Sequence, residues 1–309
     1  MYIVSFGQRI AVSLTLICLF TGYSQSLALP LPQKANSESA QLFAYHPVAF
    51  DLKEESAKEQ AGVKISDVNY AAYTSQRGRI KAYLVRPVGK GRFAGVLFFH
   101  WLGEVNGNRN EFIDEAVALA KQGTVSLLIE GYFPWAVAPR DGETDRQRVI
   151  DETIEVRRAL DLLISQAQVD RKRLGFVGHD YGAMYGAIVS GVEKRVKTYV
   201  LMAGLSNFSD WSLKYWPASA AKGEAAYRHA ISALDPINFV SAAAPAALLF
   251  QFANNDKYIP KEAASAYALA ASQPKQVIWY DALHDLNIEA ARNDRRQWLT
   301  RHLGLATPA

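Results

Sequence analysis

Cysteine is nearly absent from the 309 residues: the single one, Cys18, falls in the N-terminal stretch. A disulfide framework and a cysteine-rich metal site are thereby excluded, and once that stretch is removed a thiol nucleophile is excluded as well. Excess charge of one sign is also lacking. Lys+Arg 34 stand against Asp+Glu 30, interleaved along the chain, so the balance implies no nucleic-acid partner. There is no H-E-x-x-H, no Cys/His cluster, no G-x-G-x-x-G and no G-x-x-x-x-G-K-[ST], so neither a metal nor any other cofactor is implied. What the chain does have is 50% hydrophobic residues with 21% charged, a composition that excludes disorder and requires a buried core.

Arg9, the apolar run from Ile10 to Phe20, and the small residues Ser26 and Ala28 form the pattern of a secretory leader, residues 1–28, cleaved near Ala28. The run is about half the ~20 apolar residues a bilayer requires, which argues against an anchor. Thr15, Leu16 and Ile17 lack the small residue that lipoprotein processing would want before Cys18. The expected product is periplasmic or extracellular, with no stable membrane insertion. Residues 29–63, mixed and partly polar, read as a surface-hugging arm without chemistry.

The body, 64–309, alternates in period. Around Gln76-Arg77-Gly78 two segments with alternating apolar positions predict a hairpin. Continuous apolar runs follow at 94–100, 124–130, 173–178, 197–204, 245–254 and 275–280, each of the type that a strand buried on both faces requires. Between them lie helical patterns at 110–123, 145–165, 183–191 and 261–272, with a last one from about Asn287 to Leu303. The charged positions from Arg146 to Arg158 read as a solvated helix face. The fold class is therefore α/β: a mostly parallel, doubly wound sheet of about eight strands with helices on both faces. Residues 205–241 interrupt the alternation as a short insertion placed to roof a cleft. In such sheets chemistry gathers past the carboxyl ends of the strands.

Three acidic or basic side chains lie at such ends. Gly178-His179-Asp180-Tyr181-Gly182 sits between a predicted strand and a predicted helix, where flanking glycines permit a sharp turn that presents the middle residue. Taken alone, Asp180 reads equally well as a helix N-cap. Asp256 follows the run at 245–254, and His284 follows the next strand. Nucleophile, acid and histidine then occur in the order of a hydrolytic triad. Asp281 and Asp285 compete as acids, but their chain neighbourhood makes the far side of the imidazole hard to reach. Tyr132, Trp135, Trp211, Tyr215 and Trp216 are candidates for substrate contact. Glu130 and Glu104 read most simply as salt-bridge partners of Arg109 or Arg140.

On these residues the chain resembles the α/β-hydrolase superfamily, and its dienelactone-hydrolase-like branch in particular, over most of 66–305. The matching pieces are His100-Trp101-Leu102-Gly103, the elbow from Gly178 to Gly182, the acid loop from Asp256 to Pro260 and Ala282-Leu283-His284. The resemblance implies a hydrolase acting on a small molecule without a cofactor. It also implies an oxyanion hole from the backbone N–H groups of Trp101 and Tyr181, with His100 orienting its loop and His179 packed beside the elbow. The elbow departs from that branch. Its aspartate is similar to the nucleophile of epoxide hydrolases and haloalkane dehalogenases. A carboxylate attacking an ester carbonyl would form a mixed anhydride, whereas attack on saturated carbon forms an ordinary alkyl ester. Cleavage of a C–O or C–halogen bond is the leading expectation. Hydrolysis of a carboxylic ester or lactone, with Asp180 as general base, and a non-catalytic binding protein on the same scaffold are the alternatives.

Overall fold

The structure is a computed structural model that describes residues 37–74, 77–102, 108–132 and 141–306. The leader, Trp135, Glu104 and Arg140 lie outside the described residues. Residues Pro32–Ala309 form one unit.

Nine strands build a single sheet: β1 (Lys53–Gln60), β2 (Val63–Ala71), β3 (Arg79–Pro87), β4 (Phe93–Phe99), β5 (Thr124–Ile129), β6 (Val169–His179), β7 (Thr198–Met202), β8 (Ala247–Ala253) and β9 (Lys275–Tyr280). Their order is β1-β2-β3-β5-β4-β6-β7-β8-β9. The first three form an antiparallel meander joined antiparallel to β5, and every pair from β5 onward is parallel. The helices are α1 (Ser37–Leu42), α2 (Ile113–Ala120), α3 (Gly142–Ser165), α4 (Tyr181–Val192), α5 (Phe208–Tyr215), α6 (Glu224–Ile231), α7 (Ile237–Val240), α8 (Lys261–Ala270) and α9 (Glu289–Leu303). The parallel crossovers run through α2, α3, α4 and α8, while α5 to α7 fill the insertion between β7 and β8.

The central strands lack alternation because helices cover both faces. Every residue of β5, β7 and β8 is buried. From β4 the chain moves to β5 on one side and then returns to β6 on the other. That reversal opens a crevice between the carboxyl ends of β4 and β6, the place where such sheets bind ligands.

Two details go beyond the sequence reading. The sheet of about eight strands has nine, and part of the segment 29–63, read as an arm, supplies one of them. All eight residues of β1 are exposed, so its KEESAKEQ sequence carries no buried face and no period-two apolar signal. Main-chain pairing with β2 holds it, and its charges suit an unprotected sheet edge. Second, the face from Arg146 to Arg158 is not simply solvated: Glu152, Glu155 and Arg158 are buried. Glu155 accepts the N–H groups of Tyr73 and Thr74, and Glu152 accepts Arg77 and the N–H of Tyr132. These carboxylates anchor the β2–β3 turn and the segment after β5; burial pushes Glu152 up to about 7, only partly offset by Arg77 and the Tyr132 N–H.

Candidate active site

β6 ends at His179 and α4 begins at Tyr181, leaving Asp180 alone to reverse the chain. It does so at φ 51°, ψ −113°, a conformation that non-glycine residues rarely adopt. Its N–H donates to the Met202 carbonyl at 2.8 Å, tying the bend to β7. The flanking glycines are steric requirements. A Cβ on Gly182 would lie 2.1 Å from the Phe99 carbonyl oxygen, and one on Gly178 would lie 2.3 Å from the Gly182 carbonyl oxygen.

The Asp180 side chain is buried, and its two oxygens differ. Oδ2 accepts the Leu102 N–H at 3.3 Å, and the Tyr181 amide also acts on this carboxylate. Oδ1 has no hydrogen-bond partner and faces His284 Nε2 at 3.9 Å. Burial pushes the Asp180 carboxyl above its usual range, opposed by the charges of His284 and His179 and by the Leu102 and Tyr181 amides.

His284 comes from the loop after β9. Its Nδ1 donates to Asp256 Oδ2 at 2.8 Å, and Asp256 Oδ1 accepts the N–H groups of Tyr258 and Ile259 at 2.8 and 3.0 Å. With both oxygens accepting, Asp256 orients the imidazole and leaves Nε2 as the ring atom that faces Asp180. Asp281 and Asp285 are occupied by Asn255 Nδ2 and the Asn287 N–H respectively. The structure thus brings Asp180, Asp256 and His284 together from the ends of three different strands.

Of the two amides expected to form an oxyanion hole, that of Tyr181 acts on the Asp180 carboxylate and that of Trp101 is directed elsewhere. Trp101 N–H donates to Glu111 Oε2 at 3.0 Å, and the next amide, Leu102, faces the Asp180 carboxylate instead. His100 explains the geometry. Its Nδ1–H donates to the Trp101 carbonyl at 2.7 Å while its Nε2 accepts the Gly131 N–H at 2.8 Å. In a trans peptide the N–H points opposite the C=O, so anchoring the Trp101 carbonyl aims the Leu102 amide. Burial lowers the His100 basicity, in keeping with a neutral ring that both donates and accepts.

A cleft of about 1200 Å³ opens over this group, lined among others by Trp101, Asp180, Trp211, Tyr215, Trp216, Tyr258 and His284. Trp211 on α5 packs on Tyr215 and Tyr258 with centroids 4.5 and 5.7 Å apart. Tyr132 does not line this cleft. It lies over Arg77 beside Glu152, because the segment after β5 is drawn to α3. Glu130 pairs with Arg109, with Nε to Oε2 at 3.9 Å. Sequence reading missed Tyr258, whose ring stands edge-on to His284 at 4.9 Å, and Glu111. Among the described residues no cluster of three or more His, Cys, Asp or Glu side chains suits a metal ion. Nor is any described helix long and apolar enough to cross a membrane.

No protein-family model and no curated protein matches the chain. Solved structures do. An acetyl xylan esterase from Paenibacillus sp. R4 superposes with a TM-score of 0.69 at 17% identity, covering 86% of this chain and 92% of that one. Acetyl xylan esterase 1 from Thermoanaerobacterium sp. JW/SL YS485 gives 0.65 at 14%, over 85% and 91%. A Klebsiella pneumoniae protein assigned as a dienelactone hydrolase gives 0.55 at 16%, over 78% and 98%. Together with the strand order and the elbow, these similarities define the α/β-hydrolase fold. At such identities they speak for the fold alone.

Proposed function

We propose that this protein is an exported hydrolase that cleaves a C–O or C–halogen bond at saturated carbon through an ester on Asp180. The observation that carries the reading is the divided carboxylate: Oδ2 held by the Leu102 amide, Oδ1 unbonded and 3.9 Å from an imidazole that Asp256 orients. In the first step Oδ1 attacks carbon, the C–O or C–halogen bond breaks, and the leaving group departs with the electron pair. An epoxide oxygen takes a proton, for which Tyr215 and Tyr258 line the cleft; a halide needs only N–H donors, and Trp101, Trp211 and Trp216 line it too. In the second step His284 removes a proton from water, which adds to the Asp180 carbonyl carbon. The Leu102 and Tyr181 amides then hold the oxyanion on Oδ2, each such donor being worth ~10²–10³ in rate. On collapse the Cγ–Oδ1 bond breaks, His284 returns its proton to the departing alkoxide to give the alcohol, and the Asp180 carboxyl, now carrying the water oxygen, loses its proton to solvent to regenerate the carboxylate. Export rests on the leader pattern in residues 1–28.

A second reading, in which Asp180 serves as general base for direct attack of water on a carboxylic ester, is favoured by one finding: several similar structures are esterases. Intact-mass analysis of the His284→Gln variant separates the two. Incubated with n-butyl bromide or epoxyhexane, the variant is expected to gain the mass of one alkyl group on the peptide carrying Asp180. Turnover of nitrophenyl acetate by the wild type, with no adduct from either alkylating substrate, would favour the second reading.

A further inference from the structure

Glu111 stands just before α2 and takes no part in the chemistry described above, yet it reaches two of its supports. Its Oε2 accepts the Trp101 N–H at 3.0 Å, and its Oε1 lies 2.6 Å from His179 Nδ1. His179 is fully buried and adjacent to the nucleophile, and its Nε2 lies 2.9 Å from the main-chain carbonyl oxygen of His284. A carbonyl only accepts, so Nε2 carries a hydrogen. Where Glu111 is ionised, both of its oxygens accept and Nδ1 carries a hydrogen as well. The arrangement therefore reads as an imidazolium held by a carboxylate. Burial opposes that charge, but Glu111 outweighs it and His179 is pushed above its usual range. The Trp101 indole lies flat on the His179 ring, centroids 5.3 Å apart at 16°, and also meets the His284 ring at 5.6 Å.

We infer that Glu111 and His179 are a pair of positioning residues, an ion pair that holds the Trp101–Leu102 donor loop and the His284 loop in register across the nucleophile. One carboxylate fixes the peptide before the oxyanion amide, and one imidazolium fixes the backbone of the base. Asp256 sets the ring of His284; His179 sets its main chain. The positive charge, one residue from Asp180, also favours the ionised form of that carboxyl.

The inference rests on the hydrolase reading, and the variants are chosen to separate the two. Glu111→Ala removes both bonds and is expected to lower kcat about a hundredfold with KM within a few fold, the size of losing a preorganised donor. Glu111→Gln can accept the Trp101 N–H and donate to Nδ1 of a neutral His179. It is expected to keep kcat within about tenfold of wild type, since the geometry survives. Because the positive charge beside Asp180 is lost, the acidic limb of its kcat/KM profile should move to higher pH. Unchanged kcat in folded Glu111→Ala, or an unmoved acidic limb in Glu111→Gln, overturns the inference. If the wild type turns over none of n-butyl bromide, epoxyhexane and nitrophenyl acetate, the hydrolase reading fails and ¹H–¹⁵N spectra decide. Shifts of the Leu102 amide and the His284 ring in Glu111→Ala support the pair, and unshifted resonances refute it.

Discussion

His284 Nε2 lies 3.9 Å from Asp180 Oδ1, the one oxygen of that carboxylate without a hydrogen-bond partner, while Leu102 holds the other. The separation is longer than a hydrogen bond, so His284 does not tie up Oδ1. In the proposed mechanism Oδ1 is then open to attack carbon, and the same imidazole is the base for the water of the second step.

Losses at Asp180 and Asp256 should differ in kind. Asp180→Asn removes the nucleophile and is expected to cost about 10⁴-fold or more in turnover with no product formed in a first pass. Asp256→Asn leaves the nucleophile but frees the wrong imidazole tautomer. It should lower steady-state turnover by about 10³–10⁴-fold while still consuming one equivalent of alkylating substrate. Rapid-quench analysis of the first turnover checks both; a missing burst in Asp256→Asn contradicts the assignment.

Acid should inactivate the protein earlier than an ordinary aspartate would. Burial raises the Asp180 carboxyl, and attack requires the carboxylate, so the competent fraction falls as pH drops through that raised value. The acidic limb of kcat/KM is expected above the ordinary aspartate pKa of about 3.9. A limb at or below that value would contradict the burial argument.

Asp235 gives the insertion a pH-dependent stability. It accepts the Phe208 N–H at 2.9 Å at the start of α5, and burial pushes its carboxyl up to about 7. The folded value lies above the unfolded one, so its stabilising contribution is complete below about pH 4 and is lost as pH rises through 7. The whole effect is of order 4 kcal/mol as an upper bound. Asp235→Asn, whose carbonyl still accepts the Phe208 N–H, should raise the Tm at pH 8 and flatten its dependence between pH 5 and 8. An equal slope in both proteins would refute this.

Gly182→Ala tests the elbow. The added methyl would strike the main chain of Phe99 and His100, which cannot yield as a side-chain tip can. Destabilisation of at least about 1–3 kcal/mol in urea is expected, with loss of turnover as α4 moves off β4. A stable, active variant would mean that the turn tolerates a side chain.

The elements that were legible in the sequence are those buried on both faces or marked by glycines. Runs such as Thr124–Ile129 have no other home than a central strand, and the elbow needs Gly178 and Gly182 whatever lies between them. The order Asp180, Asp256, His284 could be read because the loops that carry them follow strands. Lys53–Gln60 was illegible because all eight residues are exposed, so its pairing rests on main-chain bonds and on polar cross-strand contacts such as Lys64–Glu54, neither of which leaves an apolar period. Glu111 was hidden for a different reason: its partners lie ten residues back and sixty-eight residues on, at no spacing that periodicity exposes. That the Leu102 amide rather than that of Trp101 faces the elbow was also hidden, since it depends on the His100 ring.

A single turnover in ¹⁸O-labelled water, with enzyme in excess over n-butyl bromide or epoxyhexane, tests the central claim most directly. The account predicts that the label enters the Asp180 carboxylate and that the hydroxyl delivered to the product is unlabelled, because its oxygen came from Oδ1. Label found in the product alone, with Asp180 unlabelled, would contradict it.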